Sequence, residues 1–315
     1  MLSDMKETFT PMPAILAQAR AGRQANWNIF LNGLAAFGIA IGSLFGEAVV
    51  MIPYSVVAII FSTEYGKNLP GDVSNIVQLF ATVVPIVVLP LYVKFVEKRS
   101  LRTMGFVKEH AVTDYLLGMV IAFAMFSACV GMCVASGAMS FGGYVLNGQY
   151  LTLALMFLGF IVQGASEETV CRGFMMTSFG SKGGAFAGML FNSLVFGCLH
   201  LFNSGITVLS FVNLMLFGIF MSFLVLKLNS IWMACAIHSV WNFVQGNFFG
   251  ILVSGGNFGV SVFRFNSVEG KELVNGGAFG MEGGIATTCV LAVSILAVLL
   301  IKPREPQTAA QAIAE

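Results

Sequence analysis

The stretch that decides the fold is ITVLSFVNLMLFGIFMSFLVL, residues 206–226, in which no charged residue occurs. About 20 consecutive apolar residues allow an α-helix to cross the hydrocarbon core of a bilayer. Only helices and closed barrels satisfy every backbone polar group inside that core, and barrel strands alternate between apolar and polar residues. Because this run does not alternate, it predicts a membrane-spanning helix.

The composition of the whole chain agrees with this prediction. Of the 315 residues, 57% are hydrophobic and 10% are charged, and the mean hydropathy is +0.86. Soluble domains carry about 25% charged residues, so the composition excludes a soluble globular protein, and it also excludes a disordered one. The formal net charge of +1 indicates no nucleic-acid partner. We expect an all-α, polytopic transmembrane helical bundle.

Similar apolar stretches lie on both sides of residues 206–226 and give about eight predicted spans. The first stretch is longer than a span needs, so it predicts either one tilted helix kinked at Pro53 or a re-entrant pair. We expect one transmembrane domain, residues 27–301, between a cytosolic N-terminal segment, 1–26, and a cytosolic polar tail, 302–315. The predicted spans are 27–61, 76–95, 115–135, 151–171, 185–202, 206–226, 231–249 and 285–301.

The basic residues are distributed unequally between the predicted loops. If the N-terminus is cytosolic, eight spans return the C-terminus to the cytosol, and all but three of the 16 Lys and Arg residues lie on that side. Cytosolic loops of membrane proteins carry an excess of basic residues, so we expect both termini in the cytosol. The three exceptions are Lys67, Arg264 and Lys271.

The segment 252–284 is then an extracytosolic loop, and it is rich in glycine. Residues 260–265 alternate weakly, as a short strand would, but the glycines favour a mobile loop.

Ionisable residues are rare inside the predicted spans. On insertion scales a charged side chain at mid-membrane costs on the order of 2.5–3.5 kcal/mol, so each one is expected to have a partner or a function. Three spans nonetheless contain such residues in a regular pattern. The pattern is Glu167-Glu168-x-x-x-Arg172 in the fourth span, Phe196-x-x-x-His200 in the fifth and His238-x-x-x-Asn242 in the seventh.

Helical spacing predicts which of these side chains share a face. Glu168 and Arg172 are four residues apart, so they can form an ion pair along one helix. His238 and Asn242 have the same spacing. Glu167 is rotated by about 100° from Glu168 and can point elsewhere.

The fourth and fifth spans are expected to form a hairpin. The glycines of 180–184 provide the turn, and a hairpin folded there brings Glu167 level with His200. His238 lies about seven residues, or roughly 10 Å, into the seventh span. We expect these polar groups to meet in one cavity that is reached from the cytosol.

The residue types in this set predict hydrolysis. A carboxylate beside a histidine, here Glu167 and His200, can hold and deprotonate a water molecule. His238 and Asn242 can donate hydrogen bonds to a developing oxyanion. The alternative is a metal site, since Glu167, His200 and His238 are residue types that bind zinc, which also activates water. Both routes lead to hydrolysis of a carbonyl compound, most plausibly a peptide bond.

The three motifs resemble the signature of the CPBP family of intramembrane proteases, which includes CAAX prenyl endopeptidases and bacteriocin-processing and self-immunity proteins. Its motifs EExxxR, FxxxH and HxxxN all occur in order within residues 150–250. The resemblance implies an eight-helix membrane protease in which a glutamate and a histidine activate water. It leaves the need for a metal open, and the HExxH pattern of many zinc proteases is absent. The implied catalytic set is Glu167, Glu168, Arg172, His200, His238 and Asn242.

Two kinds of function follow from the sequence. The first is an intramembrane endopeptidase of CAAX-protease type that acts on a peptide or a membrane-anchored protein. The second is a non-catalytic transporter or bacteriocin immunity factor that uses the same polar cavity. The lack of an internal repeat favours the enzyme, because many transporters contain inverted repeats. We expect a multi-pass protein of a bacterial cell membrane, with zinc as the one candidate cofactor.

Overall fold

The structure, a computed structural model, describes residues 12–22, 28–65 and 71–305. Most of the predicted N-terminal segment and of the polar tail lies outside these ranges. The α-helices are α1 (Ala14–Gly22), α2 (Ile29–Tyr65), α3 (Gly71–Ala81), α4 (Val83–Phe95), α5 (Ala111–Ala135), α6 (Tyr150–Glu168), α7 (Thr177–Gly183), α8 (Ala185–Leu199), α9 (Val208–Leu228), α10 (Trp232–Phe243), α11 (Glu272–Asn275) and α12 (Ile285–Leu300).

Each predicted span contains a helix, and the helical membrane-protein class is confirmed. Within the described residues, five helical segments are long and apolar enough to cross a membrane; α8 and α12 are apolar but shorter. The count of eight spans therefore stays a prediction. The first stretch is one helix, α2, with Pro53 inside it, so no re-entrant pair forms there. The five segments are Ile29–Thr63, Gly71–Phe95, Ala111–Ala135, Tyr150–Gly183 and Val208–Leu228.

Two of the motif helices continue into π-helical segments. The first π segment, Thr169–Met176, follows α6 and leads into α7. The second π segment, Val244–Phe248, follows α10. A π turn contains an extra residue and is frequently found at functional sites. Both widened turns begin within two residues of a motif side chain.

Loops from distant parts of the chain meet at one end of the bundle, which we call the basic end (residues 96–110, 229–231 and 301–305). Arg304 forms a bidentate ion pair with Asp114 in the first turn of α5, with N–O distances of 2.8 and 2.9 Å. The Trp232 indole donates to the backbone oxygen of Val107 at 2.5 Å. These contacts place the start of α5, the start of α10 and the residues after α12 at the same end of the bundle.

The other end, which we call the glycine end, consists of residues 136–149, 200–207 and 249–284. The Asn203 side chain donates to the backbone oxygen of Ser254 at 3.0 Å. The backbone nitrogen of Val268 donates to the oxygen of Ala138, also at 3.0 Å. The glycine end is thus a connected layer rather than a set of separate loops.

A two-stranded antiparallel sheet at the glycine end corrects the all-α prediction. Strand β1 (Met139–Tyr144) pairs with β2 (Phe263–Ser267), with Phe141 opposite Phe265. The weak alternation of residues 260–265 did indicate a strand, which the structure places at Phe263–Ser267. The expected mobility of the rest of the segment stays a prediction. The aromatic side chains stabilise the pairing, since the Phe141 and Phe265 rings are 5.3 Å apart.

Helices α6 and α10 approach each other closely at a glycine. A β-carbon on Gly164 would lie 2.4 Å from Ser239 Oγ and 2.6 Å from Ser239 N. No real β-carbon tolerates such distances, so the contact requires glycine at this position. The approach brings the end of α6, which carries the glutamates, against the histidine of α10.

Replacing Gly164 with Ala is expected to lower the apparent melting temperature of the purified protein in detergent, because over-packing a core costs about 1–3 kcal/mol. The matched control is Gly131→Ala on α5, where a β-carbon meets no atom within 4 Å. There Ala is the better helix former, so no loss is expected. A Gly164→Ala protein that melts at or above the wild-type temperature would contradict the close packing.

Candidate active site

The buried carboxylate of Glu168, at the end of α6, connects two of the three motifs. Its Oε1 atom accepts a hydrogen bond from Arg172 Nη1 at 2.8 Å and lies 2.8 Å from His238 Nδ1. The side chains of Glu168 and Arg172 are both fully buried. The predicted ion pair along the helix is therefore confirmed, and a contact to the third motif is added to it.

The Arg172 guanidinium lies on the first π segment and has a second, aromatic contact. It sits 4.9 Å from the ring centroid of Phe196, the first residue of the second motif. The negative face of an aromatic ring attracts a cation, and the attraction is stronger away from water. Arg172 therefore contacts Glu168 of the first motif and Phe196 of the second, and it does not line the cavity.

Glu167 occupies the other face of the helix end, next to the free side of His238. Its Oε2 atom is 3.4 Å from His238 Nε2, and 29% of its side chain is exposed. Gln163, one turn earlier on α6, donates to Glu167 Oε1 and accepts a hydrogen bond from Asn242 Nδ2 at 3.0 Å. Gln163 thus links Glu167 of the first motif to Asn242 of the third. Its hydrogen bond holds the Glu167 carboxylate at the surface of a cavity.

His238 lies between the two carboxylates. A carboxylate oxygen accepts hydrogen bonds, so His238 Nδ1 donates to Glu168 Oε1, and Nε2 is the atom that faces Glu167 Oε2. These two contacts set the orientation of the His238 ring.

His200 follows the last residue of α8 and lines the same cavity. Its Nδ1 atom lies 2.8 Å from the backbone oxygen of Phe196, and because that oxygen can only accept, Nδ1 donates this hydrogen bond. The rings of His200 and Phe196 are 4.7 Å apart. Among the described residues, no hydrogen bond joins His200 to another ionisable motif residue.

One cavity of about 510 Å³ collects most of the predicted site residues. Glu167, His200, His238 and Asn242 line it, whereas Glu168 and Arg172 do not. The predicted set of six therefore divides into four residues at the cavity surface and two that support them. The hairpin turn also lies where it was predicted, since Gly184, with φ of +88°, separates α7 from α8.

The predicted metal ligands do not form a metal site in this arrangement. No three His, Cys, Asp or Glu side chains in the described ranges are placed so that they could hold a metal ion together. His238 has one nitrogen bonded to Glu168 and the other facing Glu167, and His200 Nδ1 is bonded to the backbone oxygen of Phe196. Glu167, His200 and His238 as placed do not fit zinc.

Sequence reasoning missed several residues that shape the cavity. Gln163 could have been found, because it lies four residues before Glu167 in an otherwise apolar helix. Glu282 gave no such signal: it lies near the end of the glycine-rich segment and accepts hydrogen bonds from Gln245 and from Ser254 Oγ, at 2.5 and 3.1 Å. Burial raises the pKa of the Glu282 carboxyl, and these hydrogen bonds lower it in part. These contacts hold residue 254 at the cavity wall.

Part of the cavity wall belongs to the glycine end. This part consists of Asn203, Ser204, Glu282 and the loop residues 253–258. No residue of the basic end lines the cavity. The orientation of the bundle in the membrane, and with it the expected access from the cytosol, stays a prediction.

Comparison with known proteins accounts for the three motifs together. Residues 149–244 match the family model described as type II CAAX prenyl endopeptidase Rce1-like. The chain carries an Rce1-like domain. The resemblance to the CPBP and CAAX proteases is therefore confirmed, and the match includes every motif residue from Glu167 to Asn242. No curated protein matches the chain. Helices α2–α5 and the glycine-end residues from 249 onward lie outside the Rce1-like domain.

The buried ion pair of the Rce1-like domain predicts a specific pattern of stability. Glu168→Gln or Arg172→Gln leaves one buried charge unpaired, which typically costs about 3–5 kcal/mol. The double variant leaves neither charge and is expected to melt at a higher temperature than either single variant. Thermal unfolding of the four purified proteins in detergent measures this difference. Losses that simply add in the double variant would contradict the pairing.

Proposed function

We propose that the chain is an intramembrane endopeptidase that hydrolyses a peptide bond with a water molecule activated by Glu167 and His200. The observation that carries this proposal is the convergence of the Rce1-like motif side chains on one cavity within the helical bundle. Hydrolysis requires a base, a hydrogen-bond donor for the oxyanion and a source of protons for the leaving amine. Each requirement has a candidate in the cavity.

Glu167 is the candidate general base. Its carboxylate is accessible from the cavity, while the hydrogen bond from Gln163 limits its movement. His200 lines the same cavity with its Nδ1 bonded to the backbone, and in this mechanism its Nε2 accepts a hydrogen bond from the water. A water molecule that donates to both groups would be oriented for attack. A positioned base of this kind contributes roughly 10²–10⁴-fold to the rate.

His238 and Asn242 are the candidate oxyanion donors. The water oxygen attacks the peptide carbonyl carbon while one water proton passes to Glu167. The oxyanion then accepts hydrogen bonds from His238 Nε2–H and from the second amide hydrogen of Asn242, whose first is bonded to Gln163. Collapse breaks the C–N bond, and the proton on Glu167 passes to the leaving amine. One water is consumed, and a carboxylic acid and an amine are released.

Glu168 and Arg172 are proposed to position His238 rather than to touch the substrate. The carboxylate of Glu168 fixes the His238 tautomer through Nδ1, and Arg172 balances its charge. The cavity volume of about 510 Å³ lies within the range of ordinary ligand sites, about 300–1,000 Å³. It suits a few residues of an unfolded peptide or of a membrane-anchored protein segment.

Glu167→Gln is expected to reduce cleavage by roughly 10²–10⁴-fold, because the amide keeps the shape of the side chain but cannot accept the proton. The assay uses purified protein in detergent, a synthetic peptide library that includes prenylated CAAX peptides, and mass spectrometry of the products.

The control is Glu269→Gln. Glu269 is an exposed carboxylate at the glycine end that does not line the cavity, so this variant is expected to retain the activity. Cleavage by Glu167→Gln at the wild-type rate would refute the role of Glu167 as the base. Absence of any cleavage by the wild-type protein would refute the protease proposal.

Removal of divalent metal is expected to leave cleavage intact, because the proposed water activation uses only protein groups. Asparagine is not among the residues that usually bind zinc, and the histidines and Glu167 as placed do not form a three-ligand site. The measurement is cleavage after treatment with a strong chelator, together with metal analysis of the purified protein. Complete inactivation that is reversed by one equivalent of zinc would show that the site rearranges to bind metal.

A further inference from the structure

A second cavity, of about 430 Å³, lies at the basic end, and we call it the basic pocket. It shares no lining residue with the motif-lined cavity. Its wall carries four basic side chains and, among the described residues, no acidic one. A concave site lined by one sign of charge attracts the opposite charge, so the pocket favours an anion. The four basic side chains are those of Lys94, Arg99, Arg102 and Lys108.

Two of these four charges are balanced within the protein and two are not. Arg99 and Arg102 each form an ion pair with a glutamate that does not line the pocket. Lys94 and Lys108 are exposed, and neither forms an ion pair within the described residues. The ammonium group of Lys94 has a weaker contact, 5.5 Å from the ring centroid of Phe95. The pocket therefore has two excess positive charges, which repel each other unless an anion lies between them.

The remaining wall of the basic pocket combines one hydroxyl group with apolar surface. Ser100 Oγ accepts a hydrogen bond from Arg102 N at 3.3 Å, so its own hydrogen can be donated to a bound anion. Leu101 and Phe106 provide the apolar part of the wall. A wall of this kind suits an anion that is attached to an apolar group.

An apolar stripe on α4 leads to the basic pocket. Its residues Val83, Val87, Leu91 and Phe95 recur every four positions and are between 42% and 65% exposed, whereas the opposite face of α4 is buried. Lys94 lies three helical turns beyond Val83, on the same side. The rise from Val83 to Lys94 is roughly 16 Å, and the hydrocarbon of one leaflet is about 15 Å thick. The stripe thus has the length of an acyl chain, with a cation at its end.

We propose that the basic pocket binds the headgroup of an anionic phospholipid whose acyl chain lies along the stripe of α4. The phosphate of the headgroup offsets the charge of Lys94 and Lys108. A zwitterionic headgroup would bring an ammonium group of its own to the same two lysines and is therefore disfavoured. The site depends neither on the proposed function nor on the orientation of the bundle in the membrane.

Lipid titration of the purified protein in an uncharged detergent tests this proposal. Fluorescent phosphatidylglycerol is expected to bind more tightly than fluorescent phosphatidylcholine with the same acyl chains. The variant Lys94→Gln/Lys108→Gln removes the two excess charges. A lysine beside anionic lipid contributes about fivefold to binding, so this variant is expected to bind phosphatidylglycerol roughly 25-fold more weakly. Its phosphatidylcholine binding and its melting temperature without added lipid are expected to stay unchanged, since both side chains are exposed.

The matched control is Lys98→Gln/Lys302→Gln. It removes the same charge from the basic end, but at two exposed lysines that do not line the pocket. This control is expected to bind phosphatidylglycerol as the wild type does. An equal loss in both double variants would overturn the proposal, because it would indicate a diffuse basic surface. Equal binding of the two lipids by the wild type would overturn it as well.

Competition at the wild-type protein separates a lipid site from a site for a soluble anion, and it needs no variant. Unlabelled phosphatidylglycerol is expected to displace the fluorescent lipid. Inorganic phosphate and glycerophosphoglycerol, which is the same headgroup without acyl chains, are expected to displace little of it at equal concentration. Displacement by either soluble anion as effective as that by the intact lipid would refute the role of the acyl stripe and leave a site for free phosphate groups.

Discussion

The arrangement of the site depends on one carboxylate, that of Glu168, which is buried and bonded to both Arg172 and His238. A lone charge at this depth would be strongly unfavourable, and Arg172 offsets that cost within the same helical stretch. The remaining hydrogen-bonding capacity of the carboxylate sets the orientation of a histidine on another helix. That histidine in turn faces Glu167. Removal of Glu168 would therefore affect the chemistry through His238, without any contact between Glu168 and the substrate.

The sequence was most informative where the geometry is local. The contact between Glu168 and Arg172 follows from their spacing on a helix, and the hairpin that ends at Gly184 follows from its glycines. The contact between Glu168 and His238 does not, because it joins helices separated by 70 residues and depends on the close approach at Gly164. Motif resemblance indicated that these residues act together, but it could not show which atoms meet.

Hydropathy and charge predicted the helices but not the glycine end. The two strands are short, and each pairs with a partner more than 100 residues away, so no local pattern identifies the pairing. The hydrogen bonds of Glu282 to Gln245 and Ser254 also depend on how the residues of the glycine end pack together. The predicted access from the cytosol depends on the same kind of packing: sequence depth placed His238 in the cytosolic half of the membrane, but the free space beside it is determined by the packing of all the surrounding helices.

The first π segment, Thr169–Met176, has a consequence for how chains of this kind can vary in length. Deleting one residue from it would restore a regular α-helix, but everything that follows would turn by about 100° relative to α6. Phe179 would then lose its stacking on Phe191, where the ring centroids are 4.4 Å apart. The number of residues in this segment thus sets the rotation of the α7–α8 hairpin about the helix axis relative to the glutamates. Substitutions between Arg172 and Gly184 are therefore tolerated more easily than insertions or deletions there.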